Sequence, residues 1–186
     1  ADRVERVLRA RTCSVCIVFD GPGSFGNVWA CLRTMDCFGV QRAEIIDQLG
    51  ADPDWCNLME EVLLSQPWIT VRRWPDVATC VEALHRDGFT VLAMDLEPGS
   101  SSLDELLPRL AMGKPSSGSR RLAVVIGNEL TGISEATRQL ADFRGFLSMS
   151  GMNRSFNFSA ACSILLTTLS LQEFLVPGDL EEMERA

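Results

Sequence analysis

The most reactive-looking part of this chain is a polar corner at residues 149–162, where Ser155, Asn157 and Ser159 stand between a strand-like run and a long apolar run. Small residues there let a ligand approach the backbone, and hydroxyl and amide groups sit where a helix begins. The same groups serve equally as helix caps, with Ser155 or Asn157 accepting the first free amides. A second segment, residues 125–134, runs from strand character into Gly127 and Gly132 with Glu129 between them. It predicts a tight loop whose amides are open to a ligand, or one that Glu129 fastens by accepting backbone hydrogen bonds, with Ser134 capping the helix after it.

Two further segments carry chemistry of other kinds. Over residues 27–39, Arg33 falls within a helical pattern that begins at Asn27 and is rich in apolar residues. A guanidinium among that much carbon needs a partner, which a ligand, a snorkelling geometry or an ion pair with Asp36 would each supply. Residues 21–26 spell GxGxxG between a strand and a helix, and Asp47 ends the next strand about 20 residues on, which meets the dinucleotide-binding fingerprint. Pro22 removes a backbone donor where a phosphate would want one, so a plain glycine-rich turn is the competing reading.

Metal and thiol chemistry are disfavoured. His85 is the only histidine and lies on a surface helix, which leaves no histidine metal cluster and no Ser-His-Asp triad. Cys13 and Cys16 form a CxxC, but both enter a strand, where residues three apart point to opposite faces. Seven cysteines, an odd number without a secretory leader, point to reduced thiols inside the cell, in the cytoplasm or an organelle.

These residues must be positioned by alternating elements. A short basic helix opens the chain within residues 1–12, with Val4, Val7 and Leu8 at helical spacing among Arg3, Arg6, Arg9 and Arg11. Strands are expected at residues 14–19, 42–47, 69–73, 90–94, 122–126 and 145–149. Helices are expected at 27–38, 55–64, 75–86, 103–110, 134–141 and 157–175, with a surface loop at 113–119. Strands separated by helices of this length make a single α/β domain over residues 1–186, a mostly parallel sheet with helices on both faces and ligands at the carboxyl ends of the strands. No uninterrupted apolar run is long enough to span a membrane, because 156–176 is broken by Asn157, Gln172 and Glu173.

The net charge of −8 opposes nucleic-acid binding taken as a whole. Its distribution is uneven: residues 1–33 carry +2, residues 41–110 carry −8 and residues 111–176 carry +2, while 177–186 form an acidic tail. Both segments that bear the chemistry are therefore mildly basic.

In this order, the segments resemble the three motifs of the SpoU-TrmH family of RNA ribose 2′-O-methyltransferases, within the SPOUT superfamily. Residues 27–39 resemble the first motif (an Asn, an Arg six residues on, then Phe-Gly), 122–134 the second and 146–161 the third. Residues 5–11 and 68–95 have the texture of the tRNA guanosine branch, so the likeness covers nearly the whole chain. The resemblance implies a carboxyl-terminal trefoil knot, S-adenosyl-L-methionine held by the knot loops, a homodimer with the pocket near the subunit boundary, and RNA as substrate, tRNA in preference to rRNA. Carried over, it implies contact with the methyl donor at Met94, Gly127, Leu147, Met149 and Phe156, and Asn27, Arg33, Glu129, Ser155 and Asn157 on the reactive side. The chain departs from the family pattern where Leu147, Ser148 and Met149 stand for Ile-Pro-Met and Phe156 for Leu, and it lacks the basic RNA-binding extensions of many relatives. Two other functions remain open: a non-catalytic RNA-binding or assembly subunit of the same fold, and an NAD(P)-binding oxidoreductase using residues 21–26.

Overall fold

The computed structural model describes residues 2–47, 67–112 and 121–178. After helix α1 (Asp2–Ala10), strand β1 (Thr12–Asp20) leads into α2 (Phe25–Cys37), β2 (Val40–Ile46) and β3 (Thr70–Trp74). Next come α3 (Val77–Arg86), β4 (Phe89–Met94), β5 (Ser101–Ser102) and α4 (Leu103–Met112). The last elements are β6 (Arg121–Gly127), α5 (Glu135–Leu140), β7 (Phe143–Phe146) and α6 (Phe158–Leu171). The helix expected at 55–64 and the loop expected at 113–119 lie outside the described residues.

Among the described residues, seven strands pair in parallel, in the order β3-β2-β1-β6-β4-β7-β5. Every residue of β1 is buried, as a central parallel strand covered on both faces requires. Alternate side chains supply two cores. Val15, Ile17 and Phe19 pack with α2, α4 and α6 on one face. Cys16 and Val18 pack with α3 on the other, beside Val77, Cys80 and Leu84. The chain builds outward from β1 to β3 and then resumes beyond β6, so the order reverses beside β1. That switch point opens a crevice at the carboxyl ends of the strands.

Local chemistry sets the element ends. Ser24 accepts from the Asn27 amide at 3.4 Å and starts α2, two residues earlier than the apolar pattern suggests. Gly39 ends it at φ +73°, where an added Cβ would lie 2.9 Å from the Ala10 carbonyl oxygen. The last strand lies earlier than its expected 145–149: β7 stops at Phe146, because its ladder with β4 ends at Gly145 and its short ladder with β5 at Phe146. Gly145 admits α4 closely, since a Cβ there would meet Leu103 at 2.9 Å. Residues 147–149 thus leave the sheet.

Helix α6 is also shorter than the expected 157–175. Glu173 adopts φ +58°, and the Phe174 amide donates back to the Leu169 carbonyl at 2.9 Å while the Phe174 ring is buried. This C-terminal cap reverses the chain despite the apolar character of Leu175 and Val176 beyond it. The returning segment is fastened to β1, with Ser14 Oγ donating to the Phe174 carbonyl at 2.7 Å and accepting from the Val176 amide at 3.1 Å. None of the described helices is long and apolar enough to cross a membrane.

Candidate active site

Loops that leave β4, β6 and β7 meet the start of α6 around a cavity of about 430 Å³. Met94, Asp95 and Leu96 come from the end of β4, and residues 126–129 with Gly132 come from β6. Phe146, Leu147 and Met149 come from the end of β7 and the turn beyond it, while residues 155–158 and Ala161 close the remaining side. Asn27 reaches the wall from α2. Nine of the ten residues expected at the site are therefore together: Asn27, Met94, Gly127, Glu129, Leu147, Met149, Ser155, Phe156 and Asn157.

Arg33 is not among them. It is exposed on α2, with its guanidinium carbon 5.5 Å from the Trp29 ring centroid, a cation–π arrangement. Asp36, its alternative partner, instead accepts from Arg11 Nη1 at 2.8 Å.

Glu129 joins two of the predicted segments. Its Oε1 accepts from Asn27 Nδ2 at 2.8 Å and its Oε2 accepts from the Gly23 amide at 2.9 Å. The carboxylate therefore fixes both the Asn27 side chain and the glycine turn, the fastening role that the sequence left open. Asn128 assists: Nδ2 donates to the Gly21 carbonyl at 2.7 Å.

Four amides of the β6 loop, those of Asn128, Leu130, Thr131 and Gly132, are engaged within the loop rather than open to a ligand. Asn128 and Gly132 exchange backbone hydrogen bonds at 2.9 Å, and the Leu130 and Thr131 amides donate to Asn128 Oδ1 at 2.8 and 3.2 Å. Asn128, to which the sequence pattern gives no role, satisfies them because an Asx side chain mimics a backbone turn. Gly127 permits the close return, since a Cβ there would lie 2.1 Å from the Ile133 nitrogen. Ser134 caps α5 by accepting from the Thr137 amide at 3.2 Å, and buried Asp20 accepts from the Ser134 amide and Thr137 Oγ1, both at 2.7 Å.

Asn157 is the N-cap of α6, its Oδ1 accepting from the Ser159 and Ala160 amides at 3.0 and 3.3 Å. Its amide nitrogen is left for other uses. Asp95, also unremarked in the sequence, is a buried carboxylate in the cavity wall held by Arg138 Nε at 3.2 Å and Arg144 Nη1 at 3.3 Å. Its position one residue past a parallel strand is the signal that marks it.

The turn at residues 21–26 offers little to a dinucleotide phosphate. The Gly21 amide donates to the Ile46 carbonyl at 2.9 Å, Pro22 has no N–H, and the Gly23 amide is taken by Glu129. Asp47 is ion-paired with Arg73. Thiol catalysis is equally poorly served: a hydrogen bond with Cys162, then burial, pushes the Cys31 thiol far above its ordinary range and keeps it protonated. Among the described residues, no three His, Cys, Asp or Glu side chains are grouped to hold a metal ion.

Comparison with known proteins agrees with this geometry. The sequence model of the SpoU rRNA Methylase family matches residues 14–167. The tRNA (guanosine(18)-2'-O)-methyltransferase of Thermus thermophilus is 31% identical over 164 residues, 88% of this chain and 78% of that one. The protein of the same name from Borreliella burgdorferi is 26% identical over 171 residues, covering 91% and 72%. Among solved structures, the A. aeolicus TrmH/SpoU tRNA modifying enzyme superposes with a TM-score of 0.77 at 22% identity, over 99% of this chain and 90% of that one. The SpoU methyltransferase AviRb from Streptomyces viridochromogenes, solved in complex with the cofactor AdoMet, gives 0.61 at 25% identity over 93% and 62%. Its motifs, sheet and clustered loops thus agree with the match over residues 14–167, and the chain belongs to the SpoU rRNA Methylase family.

Proposed function

We propose that this chain is an S-adenosyl-L-methionine-dependent RNA ribose 2′-O-methyltransferase that prefers tRNA to rRNA and works as a homodimer. The observation that carries this reading is the convergence of three separated segments on one cavity at the carboxyl ends of β4, β6 and β7. Family membership supports the activity, and the tRNA guanosine methyltransferases among its relatives support the RNA class. A trefoil knot in the carboxyl-terminal part belongs to the same reading, supported by the chain's return at residues 155–157 to the cavity that Leu147 and Met149 also line before it enters α6.

The cavity fits the cofactor. About 430 Å³ lies within the roughly 300–1,000 Å³ of small-molecule sites. Met94, Ile126, Leu147, Met149 and Phe156 offer apolar surface to an adenine ring. Bound there, S-adenosyl-L-methionine supplies an activated methyl group on a sulfonium.

The chain's residues must then orient a ribose hydroxyl and stabilise the charge that develops on its oxygen. Asn27, fixed by Glu129, presents its side chain to the cavity. Ser155 supplies a hydroxyl, and Asn157 supplies amide donors while its oxygen caps α6. A guanidinium makes a poor general base, so the role given to Arg33 is electrostatic: lowering the hydroxyl's pKa or gripping the adjacent phosphate through its forked donors. Because Arg33 stands outside the walls of its own chain's cavity, it is assigned to the cavity of the second subunit.

Isothermal titration separates the cofactor classes. Saturable binding of S-adenosyl-L-methionine with no binding of NAD is expected. Binding of NAD alone would overturn this reading and restore the oxidoreductase.

A further inference from the structure

We propose that Asp95 is a positioning residue for the methyl donor: with Arg138 and Arg144 it forms a clamp that sets the β4 wall of the cavity against the β6 and β7 walls. The inference rests on the reading of the cavity as the S-adenosyl-L-methionine site.

Three elements meet at one carboxylate. Asp95 leaves β4 and is 6% exposed. Arg138 lies on α5, next after the β6 loop, and Arg144 lies on β7, immediately ahead of the wall residues Phe146, Leu147 and Met149. Both arginines donate to the same oxygen, Asp95 Oδ2, at 3.2 and 3.3 Å, and Oδ1 accepts from the Glu97 amide at 3.3 Å. The Asp95 amide donates to the Gly145 carbonyl at 2.9 Å, which ties the same turn to β7 through backbone.

The rest of the turn is shaped around this contact. Arg144 Nη2 also donates to the Pro98 carbonyl at 3.4 Å. Gly99 has φ +93°, and a Cβ there would stand 2.6 Å from that same nitrogen. Glycine suits that left-handed φ, and any side chain there would displace the guanidinium from the turn. Glu135 accepts from Arg138 Nη1 at 3.4 Å, so two carboxylates and two guanidiniums balance in charge. Charge-assisted hydrogen bonds in a partly buried site are strong enough to select one loop arrangement. The walls they select are those of Met94, Asp95 and Leu96 on one side and Leu147 and Met149 on the other.

Asp95→Asn is close to isosteric, yet it can set an NH₂ against donating guanidiniums and removes the charge they answer. The test is the dissociation constant for S-adenosyl-L-homocysteine by isothermal titration, with circular dichroism and a thermal melt of each unliganded variant. Asp95→Asn is expected to weaken binding about tenfold or more, the effect of losing one charge-assisted contact. Asp95→Glu should recover part of the affinity. Asp95→Asn combined with Arg144→Gln should bind no more weakly than Asp95→Asn alone, because both remove one clamp. A purely structural role would lower the melting temperature and leave affinity, measured well below it, unchanged. Wild-type affinity in folded Asp95→Asn would overturn the clamp alone. Failure of the wild-type protein to bind would overturn the cofactor site and the clamp with it. Should Asp95→Asn not fold, Arg144→Gln and Gly99→Ala probe the same contact, and unchanged affinity in both would overturn it.

Discussion

Asn27 and Glu129 are 102 residues apart in sequence and joined by a 2.8 Å hydrogen bond, with the second Glu129 oxygen on the Gly23 amide at 2.9 Å. One carboxylate therefore holds the first and second motif segments at a common wall. Glu129→Gln keeps the shape but can place an NH₂ against one of two donors. Expected results are a loss of about 0.5–1.5 kcal/mol in chemical denaturation, the net worth of a solvent-accessible hydrogen bond, and a fall in methyl transfer of about tenfold or more. Unchanged stability and turnover would show that the bridge is incidental.

Asn157 has two jobs, and substitution separates them. Asn157→Asp keeps the oxygen that caps α6 and adds a negative charge where a helix N-terminus favours it. Its stability should match the wild type, whereas Asn157→Ala should lose about 1 kcal/mol. Both should lose methyl transfer, since neither has an amide donor. Full activity in Asn157→Asp would reduce this residue to a cap.

Arg33 tests the proposed two-subunit site. Arg33→Lys preserves charge but not the fork, so kcat should fall about tenfold or more. Co-refolding Arg33→Ala with Ser155→Ala, each inactive alone, should restore part of the activity through mixed dimers with one intact site. No recovery, with dimers shown by light scattering, would place Arg33 at its own chain's cavity or at none.

The thiols give a reading of the core that is independent of catalysis. Burial pushes Cys80 up to about 12 from an ordinary 9.0, with Glu44 adding to the effect. A raised folded pKa stabilises fully below pH 9 and loses that contribution as pH climbs through 9 toward 12, so melts should fall across that window. Of the described cysteines, Cys37 alone is exposed. In native protein at about pH 8, mass spectrometry after brief iodoacetamide treatment should find it labelled ahead of Cys13, Cys16, Cys31, Cys80 and Cys162. Equal labelling of Cys80 and Cys37 would contradict the packing of α3 on the sheet.

Much of this architecture is legible in the sequence because it is periodic. The continuous apolar run of β1 and the spaced strands and helices after it announce a parallel sheet, and the Gly127, Glu129 and Asn157 segments announce where loops gather. The features that escape depend on long-range partners. The end of β7 is set by pairing with β4 and β5, and the end of α6 by the left-handed backbone of Glu173 and the burial of Phe174. Asn128 and Asp95 are ordinary polar residues until the fold brings Gly21, Arg138 and Arg144 against them. The loop amides look open in a one-dimensional reading because the side chain that satisfies them is their own neighbour. Its motif puts Arg33 at the site, whereas its helix turns it toward solvent beside Trp29.

The central claim is chemical: the cavity delivers a methyl group to a ribose oxygen. The direct measurement is incubation with methyl-tritiated S-adenosyl-L-methionine and unmodified tRNA, then alkaline hydrolysis and chromatography. Label in an alkali-resistant dinucleotide, lost when Asn157 is replaced by Ala, is the expected result. Label on a base, or RNA bound with no label transferred, would contradict it, the latter in favour of a non-catalytic RNA-binding subunit.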